Sequence, residues 1–428
     1  MADYYPIVYV RGYAMTQNEV EDTFNSPYYG FNLGSTQIKL VNRELDKSDL
    51  AMLIFESPVV RLIKDEGYVD AFNKFVTNAN KPMANRVLEA DPTVDWHKTL
   101  WVFRFYDPES KLLGEQARGK IEDYAEALAL FLDGVRQACG GPPDFKVNLV
   151  AHSMGGLICR CYLQNKALFE RASLQAATPV GVNKFFTYGT PHRGISFRAG
   201  LSWVEDVRDL VGFKGSDTFG EKEMRRFLSL DDPKPLHTYE PARGQLPLER
   251  IFNVVGTNYQ DYVVWASKKA VGPGSDGLVV VENAYVCGAA RAFIHRAHSG
   301  PLGMVNSEEG YQNLTRFLFG DVQLQAMLEP VEVVGHPAQV DPAQDTLDYL
   351  LLEVNFVVRG LAVYIQALRG QDQSAITLDV SRKDGSFAPT TAGPTHLFTT
   401  YLRAKAKTTD TDPFLRGAID LRIEPHYS

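Results

Sequence analysis

Opening an ester or amide carbonyl takes a nucleophile, a base to accept its proton, and donors for the oxyanion that forms. Ala151-His152-Ser153-Met154-Gly155 offers the nucleophile. A serine between a buried strand and a helix sits on a sharp bend, flanked by small residues where the two backbones approach. Ala151 and Gly155 fill those crowded positions. The apolar run Lys146-Val147-Asn148-Leu149-Val150 leads in, and Leu157, Ile158, Tyr162 and Leu163 follow at helical spacing. Alone the pentapeptide is a weak signal, and this setting strengthens it. Its other reading is structural, with Ser153 as a helix N-cap.

Four segments, in chain order, resemble the bacterial lipases and carboxylesterases of the α/β-hydrolase superfamily. Ala151 to Gly155 resembles their nucleophile elbow, with Ala151 where glycine is commoner. Thr190-Pro191-His192-Arg193-Gly194 resembles a signature that follows the next strand. Gly274-Ser275-Asp276-Gly277-Leu278-Val279 resembles the acid loop. Ala297-His298-Ser299-Gly300, with a downstream helix ending Phe317-Leu318-Phe319-Gly320, resembles the histidine loop. The likeness covers roughly Tyr5 to Gly320 and implies a catalytic triad of Ser153, Asp276 and His298, in the order this fold uses. It further implies an oxyanion hole made by the backbone N–H groups of Met154 and of Tyr13, in the loop Arg11-Gly12-Tyr13. Arg11 stands where comparable lipases often carry histidine. The donor is backbone, so the hole is unaffected. Arg11 either adds a cation at the mouth or pairs with a carboxylate.

Each assignment has a rival. His295 lies three residues before His298, inside an expected strand, Phe293-Ile294-His295, where a packed or edge role is natural. His298 follows that strand and opens the loop Ser299-Gly300-Pro301, from which a ring can reach Ser153. Asp261, in the turn-like Asn258-Tyr259-Gln260-Asp261, competes with the glycine-flanked Asp276. His152 and His192 belong to other signatures and read as structural.

The elements that position these residues are β-rich runs alternating with helices. Ile7 to Val10, Leu100 to Tyr106, Lys146 to Val150, Phe185 to Tyr188, Ile251 to Val255 and Leu278 to Val281 read as strands. Helical spacing marks Pro58 to Phe75 and Ile121 to Leu132, the latter stopped by Gly140-Gly141-Pro142-Pro143. This alternation implies an α/β fold, a mostly parallel sheet covered by helices on both faces. A chain of 428 residues exceeds one ordinary core. The expected division is a catalytic domain over 1–325 and a β-sandwich accessory domain over 340–428. The catalytic domain carries an insertion at about 14–98 and a cap at about 195–248. Strand-like runs at Leu347–Val358, Tyr364–Ala367, Ala375–Val380, His396–Ala404 and Ala418–Ile423 carry the second domain. In the cap, Leu201, Val204, Val207, Leu210 and Val211 make an apolar stripe, either a lid over the site or a core-facing helix.

A net charge of −8 leaves no basic footprint for nucleic acid. No Cys/His spacing resembles a zinc site, so neither metal nor cofactor is expected. The four cysteines are scattered, and no leader or membrane-length apolar run is visible, which favours a cytoplasmic setting with signal-independent export left open. The expected substrate is a carboxylic ester with a hydrophobic part, a small molecule or a lipid, met in solution or at a lipid surface. Phospholipase and acyltransferase chemistry use the same three residues. A reading of another class is a scaffold whose β domain binds a partner, with catalysis lost.

Overall fold

Five of the six expected runs pair in one sheet, their apolar side chains buried. A computed structural model of the chain describes residues 4–12, 36–42, 50–56, 58–71, 93–103, 120–195, 219–242, 246–262, 271–300, 302–329, 347–370, 373–383, 386–389, 394–404 and 414–427. Its first half contains β1 (Ile7–Val10), β2 (Thr36–Asn42), β3 (Leu50–Glu56), α1 (Pro58–Glu66), β4 (Val69–Asp70), β5 (Thr99–Phe103) and α2 (Ile121–Ala138). Then come β6 (Lys146–His152), α3 (Met154–Gln164), β7 (Gly181–Tyr188), α4 (Glu221–Leu228), β8 (Ile251–Gly256), β9 (Ala290–Ile294) and α5 (Glu308–Phe319). The remainder is all strand: β10 (Val322–Leu328), β11 (Leu347–Val358), β12 (Gln366–Leu368), β13 (Ile376–Lys383), β14 (Ser386–Pro389), β15 (Thr395–Leu402) and β16 (Gly417–Tyr427).

Seven strands form a parallel sheet in the order β4-β5-β1-β6-β7-β8-β9. Side chains alternate along a strand, so β1 serves two cores at once. Val8 and Val10 join the cluster made with α2, α3 and α4, while Ile7 and Tyr9 join the cluster under α1 and α5. The helix ends follow from local chemistry. Asp123 accepts from the N–H of Lys120 at 3.0 Å to start α2, and Gly141 donates to the carbonyl of Arg136 at 2.9 Å to close it. Ser307 caps α5 by accepting from Gly310 at 3.0 Å.

One expected strand is absent. Leu278 to Val281 runs through bends into a short 3₁₀ turn. The Asp276 carboxylate takes the N–H groups of Leu278 and Val279 (3.0 and 2.7 Å), donors that a ladder would otherwise use. The last strand of the sheet is instead β9, which ends one residue before His295. Within the expected insertion, β2 and β3 pair as an antiparallel ribbon. The Leu201–Val211 stripe and Arg104–Tyr106 lie outside the described residues.

The carboxy-terminal part is an antiparallel β region. β10 pairs with β15, and a second sheet runs β12-β11-β13-β14 with β16 along β11. The two sheets meet face to face, with the Phe356 and Phe398 rings stacked at 5.1 Å. Leu350, Leu352, Val354 and Phe356 share one apolar cluster with Val255, Tyr262, Leu278, Val279 and Phe293. Three polar ties join the same parts. The Gln366 side chain accepts the N–H of Phe293 at 2.7 Å, on β9 at the sheet's edge. Asn313 of α5 donates to the carbonyl of Ile365 at 2.8 Å. Arg403 grips Glu66 of α1 with two bonds, 2.6 and 3.2 Å.

Candidate active site

β6 ends at His152, α3 begins at Met154, and the single residue between them carries the bend. Ser153 has φ 53° and ψ −129°, a region that side-chain-bearing residues avoid. It is pinned from several sides. Its N–H donates to the carbonyl of Tyr188 at 2.9 Å, and its own carbonyl accepts from the Thr190 hydroxyl and the Gly156 N–H, both at 3.0 Å. The helix passes so close to β1 that a Cβ on Gly155 would stand 2.4 Å from the carbonyl oxygen of Val10. The elbow sits over the carboxyl ends of parallel strands, where this architecture places its sites. This is the α/β-hydrolase fold.

No protein-family profile matches the chain, and no curated protein matches its sequence. Solved structures do resemble it. A gene product of Listeria innocua is 15% identical, over 74% of this chain and 94% of that one, with a TM-score of 0.32. A mature Bacillus licheniformis lipase is 20% identical, over 47% and 75%, with a TM-score of 0.31. Phospholipase PlaB from Legionella pneumophila is 10% identical, over 99% and 90%, with a TM-score of 0.37.

Within this hydrolase fold Ser153 does not cap α3, since its side chain makes no capping bond. Its Oγ lies 2.9 Å from His298 Nε2, and His298 Nδ1 lies 2.8 Å from Asp276 Oδ2. Three loops converge to make that chain, following β6, β8 and β9. The acid and histidine loops are also tied through backbone, the His298 N–H donating to the carbonyl of Asp276 at 2.9 Å. Asp276 is wholly buried, and its second oxygen is the one occupied by Leu278 and Val279. Arg296 holds the histidine loop to α5 by two bonds to Glu309, 3.0 and 2.9 Å. It is thus His298, not His295, that meets both partners. Asp261 is exposed and bonded to Asn258 at 2.6 Å, within its own turn.

Other residues shape the site without an advance signal. A Cβ on Gly189 (φ +51°) would lie 2.9 Å from Asp276 Oδ2 and 3.1 Å from His298 Nδ1, so this position admits only glycine. His152 Nε2 is 2.9 Å from the carbonyl of His298. A carbonyl only accepts, so that nitrogen carries the proton. Desolvation, then the neighbouring His298 and Arg11, push the His152 imidazole down to about 3, which keeps it neutral. Tyr262 stands edge-on to the His298 ring at 5.9 Å. His192 is fully buried, with Nε2 3.2 Å from both Thr187 Oγ1 and Asn253 Nδ2.

On the oxyanion side, Met154 opens α3 and its N–H has no acceptor one turn earlier in the helix. Gly12 abuts the nucleophile, since a Cβ there would be 2.9 Å from Ser153 Cβ. Tyr13 lies outside the described residues. Arg11 is buried, 7% exposed. Among the described residues no group of His, Cys, Asp and Glu is arranged to hold a metal ion, and no helix is long and apolar enough to cross a membrane.

Proposed function

We propose that this chain hydrolyses carboxylic esters through an acyl-enzyme on Ser153. The observation that carries the reading is the continuous chain Ser153 Oγ, His298, Asp276, with neighbouring separations of 2.9 and 2.8 Å. In it, His298 takes the hydroxyl proton as Ser153 attacks the carbonyl carbon. Asp276 holds the ring's orientation and stabilises the imidazolium. The tetrahedral oxyanion is received by the N–H of Met154 and, from the loop after β1, by that of Tyr13. His298 then gives its proton to the leaving alcohol as the acyl-enzyme forms. Water, deprotonated by the same imidazole, releases the acid and restores the serine.

Substrates with a sizeable hydrophobic part suit the apolar stripe that the sequence places between residues 201 and 211. The experiment is covalent labelling with a fluorophosphonate probe, followed by a panel of p-nitrophenyl esters and phospholipids. Wild-type protein should label at one residue and hydrolyse esters with a sizeable hydrophobic part. Ser153→Ala should not label and should lose on the order of 10⁴-fold or more in kcat. A folded Ser153→Ala protein keeping a tenth of the activity would place the nucleophile elsewhere. Absence of labelling and turnover in the wild type would favour the scaffold reading.

A further inference from the structure

Strand β16 is unlike the other long strands. Ile419, Leu421 and Ile423 are 51%, 52% and 51% exposed. They stand opposite Phe356, Val354 and Leu352 of β11, which are 3%, 0% and 3% exposed. Opposite residues of an antiparallel pair share a face. The apolar inner face of this sheet therefore continues past its cover onto β16. Among the described residues β16 pairs only with β11, and residues 417 to 423 are all exposed. Edge strands are ordinarily blunted by shortness, lysines, prolines or bulges. This one is eleven residues long, has no lysine, and carries one proline, Pro425, near its end.

We propose that β16 pairs antiparallel with β16 of a second copy of this chain, about a two-fold axis at Leu421. The sequence of the strand is complementary to itself in that register. Asp420 falls opposite Arg422 of the second copy, and Arg422 opposite Asp420, so the polar face gains two cross-strand ion pairs. On the apolar face Ile419 meets Ile423 of the second copy, and the two Leu421 side chains meet at the axis. Neighbouring registers lack this match. A two-fold at residue 420 sets Asp420 against itself, and one at residue 422 sets Arg422 against itself. The contact is isologous and closes at two copies, joining two carboxy-terminal sheets into one. Pro425 has no N–H, so the ladder ends there.

Sedimentation equilibrium of the full chain from about 1 to about 100 µM should show a monomer–dimer equilibrium. Asp420→Arg and Arg422→Asp should each weaken the dimer roughly tenfold or more, because each puts two like-charge pairs across the axis. The double reversal should restore wild-type association. Leu421→Lys, at a half-exposed position that a monomer tolerates, should leave monomer only. Thermal melts of each variant identify any that fail to fold, and Leu421→Lys carries the test if the charge variants do. A chain that stays monomeric throughout overturns the proposal. So does a dimer indifferent to Leu421→Lys, or a folded double reversal no tighter than the single changes.

Discussion

At Ser153 the backbone is held in a conformation costing on the order of 1–3 kcal/mol, sustained by Tyr188, Thr190 and the tight contact at Gly155. His152, the residue before it, ties the nucleophile's own strand to the histidine loop through the carbonyl of His298. His152→Phe fills the same space without the donor. It should cost about tenfold to a hundredfold in kcat with KM little changed, because the base loses its alignment rather than the substrate its pocket. Steady-state kinetics on a soluble ester check this, and an equal change in KM alone would contradict it. Four histidines, His152, His192, His237 and His396, are pushed down by burial and set a pH dependence of stability. His152 is pushed from 6.5 to about 3 and His396 from 6.5 to about 4, each chiefly by desolvation. Between those values and about 6.5 the unfolded chain binds more protons than the folded one, so stability is full above about pH 6.5 and falls as pH drops. Melting temperatures measured at about pH 8, 6 and 5 should decline in that order; a flat series would show that these histidines are not held neutral in the folded chain.

Among elements, Gln366 of β12 does for the edge of the parallel sheet what a further strand would do, by accepting the Phe293 N–H of β9. Gln366→Leu leaves that N–H buried without an acceptor and should lower stability by about 1–3 kcal/mol in urea titration. No measurable loss would mean that water reaches the site. Tie and partner are 73 residues apart in the chain, which is why no local pattern announces the pair. The same distinction governs what the sequence makes legible. β1 is plain in it because burial on both faces writes an uninterrupted apolar run, β11 because one buried face repeats an apolar residue at every second position, and the elbow because its chemistry is local. The Gly189 and Thr190 contacts and the His152 bond join segments far apart, and composition carries no trace of them. β10 has the alternation Val322-Gln323-Leu324-Gln325, and it runs across the expected end of the catalytic domain at 325, which hides it. At Leu278 to Val281 apolar residues mimic a strand, but their hydrogen bonds are claimed by Asp276.

For the whole molecule, the carboxy-terminal sheets and the acid loop rest on one apolar cluster, to which Leu278, Val279, Leu350 and Phe356 all belong. Phe398→Ala empties part of that cluster and should cost about 3–5 kcal/mol, in a single unfolding transition rather than two. Separate transitions by fluorescence and by activity loss would show that the cluster does not couple them. The covered edge of β9 also has a meaning in time. A chain is made from its amino terminus, so all three residues of the proposed triad leave the ribosome well before Gln366, Phe398 and Arg403, which close the edge and brace the acid loop. A released chain truncated after Gly320 thus holds every reacting group yet lacks the walls that align them. Such a truncated chain should resist the fluorophosphonate probe, and the finished protein should react with it. Under the proposed function, synthesis itself is the timer, and Ser153 becomes reactive only when the last strands are in place.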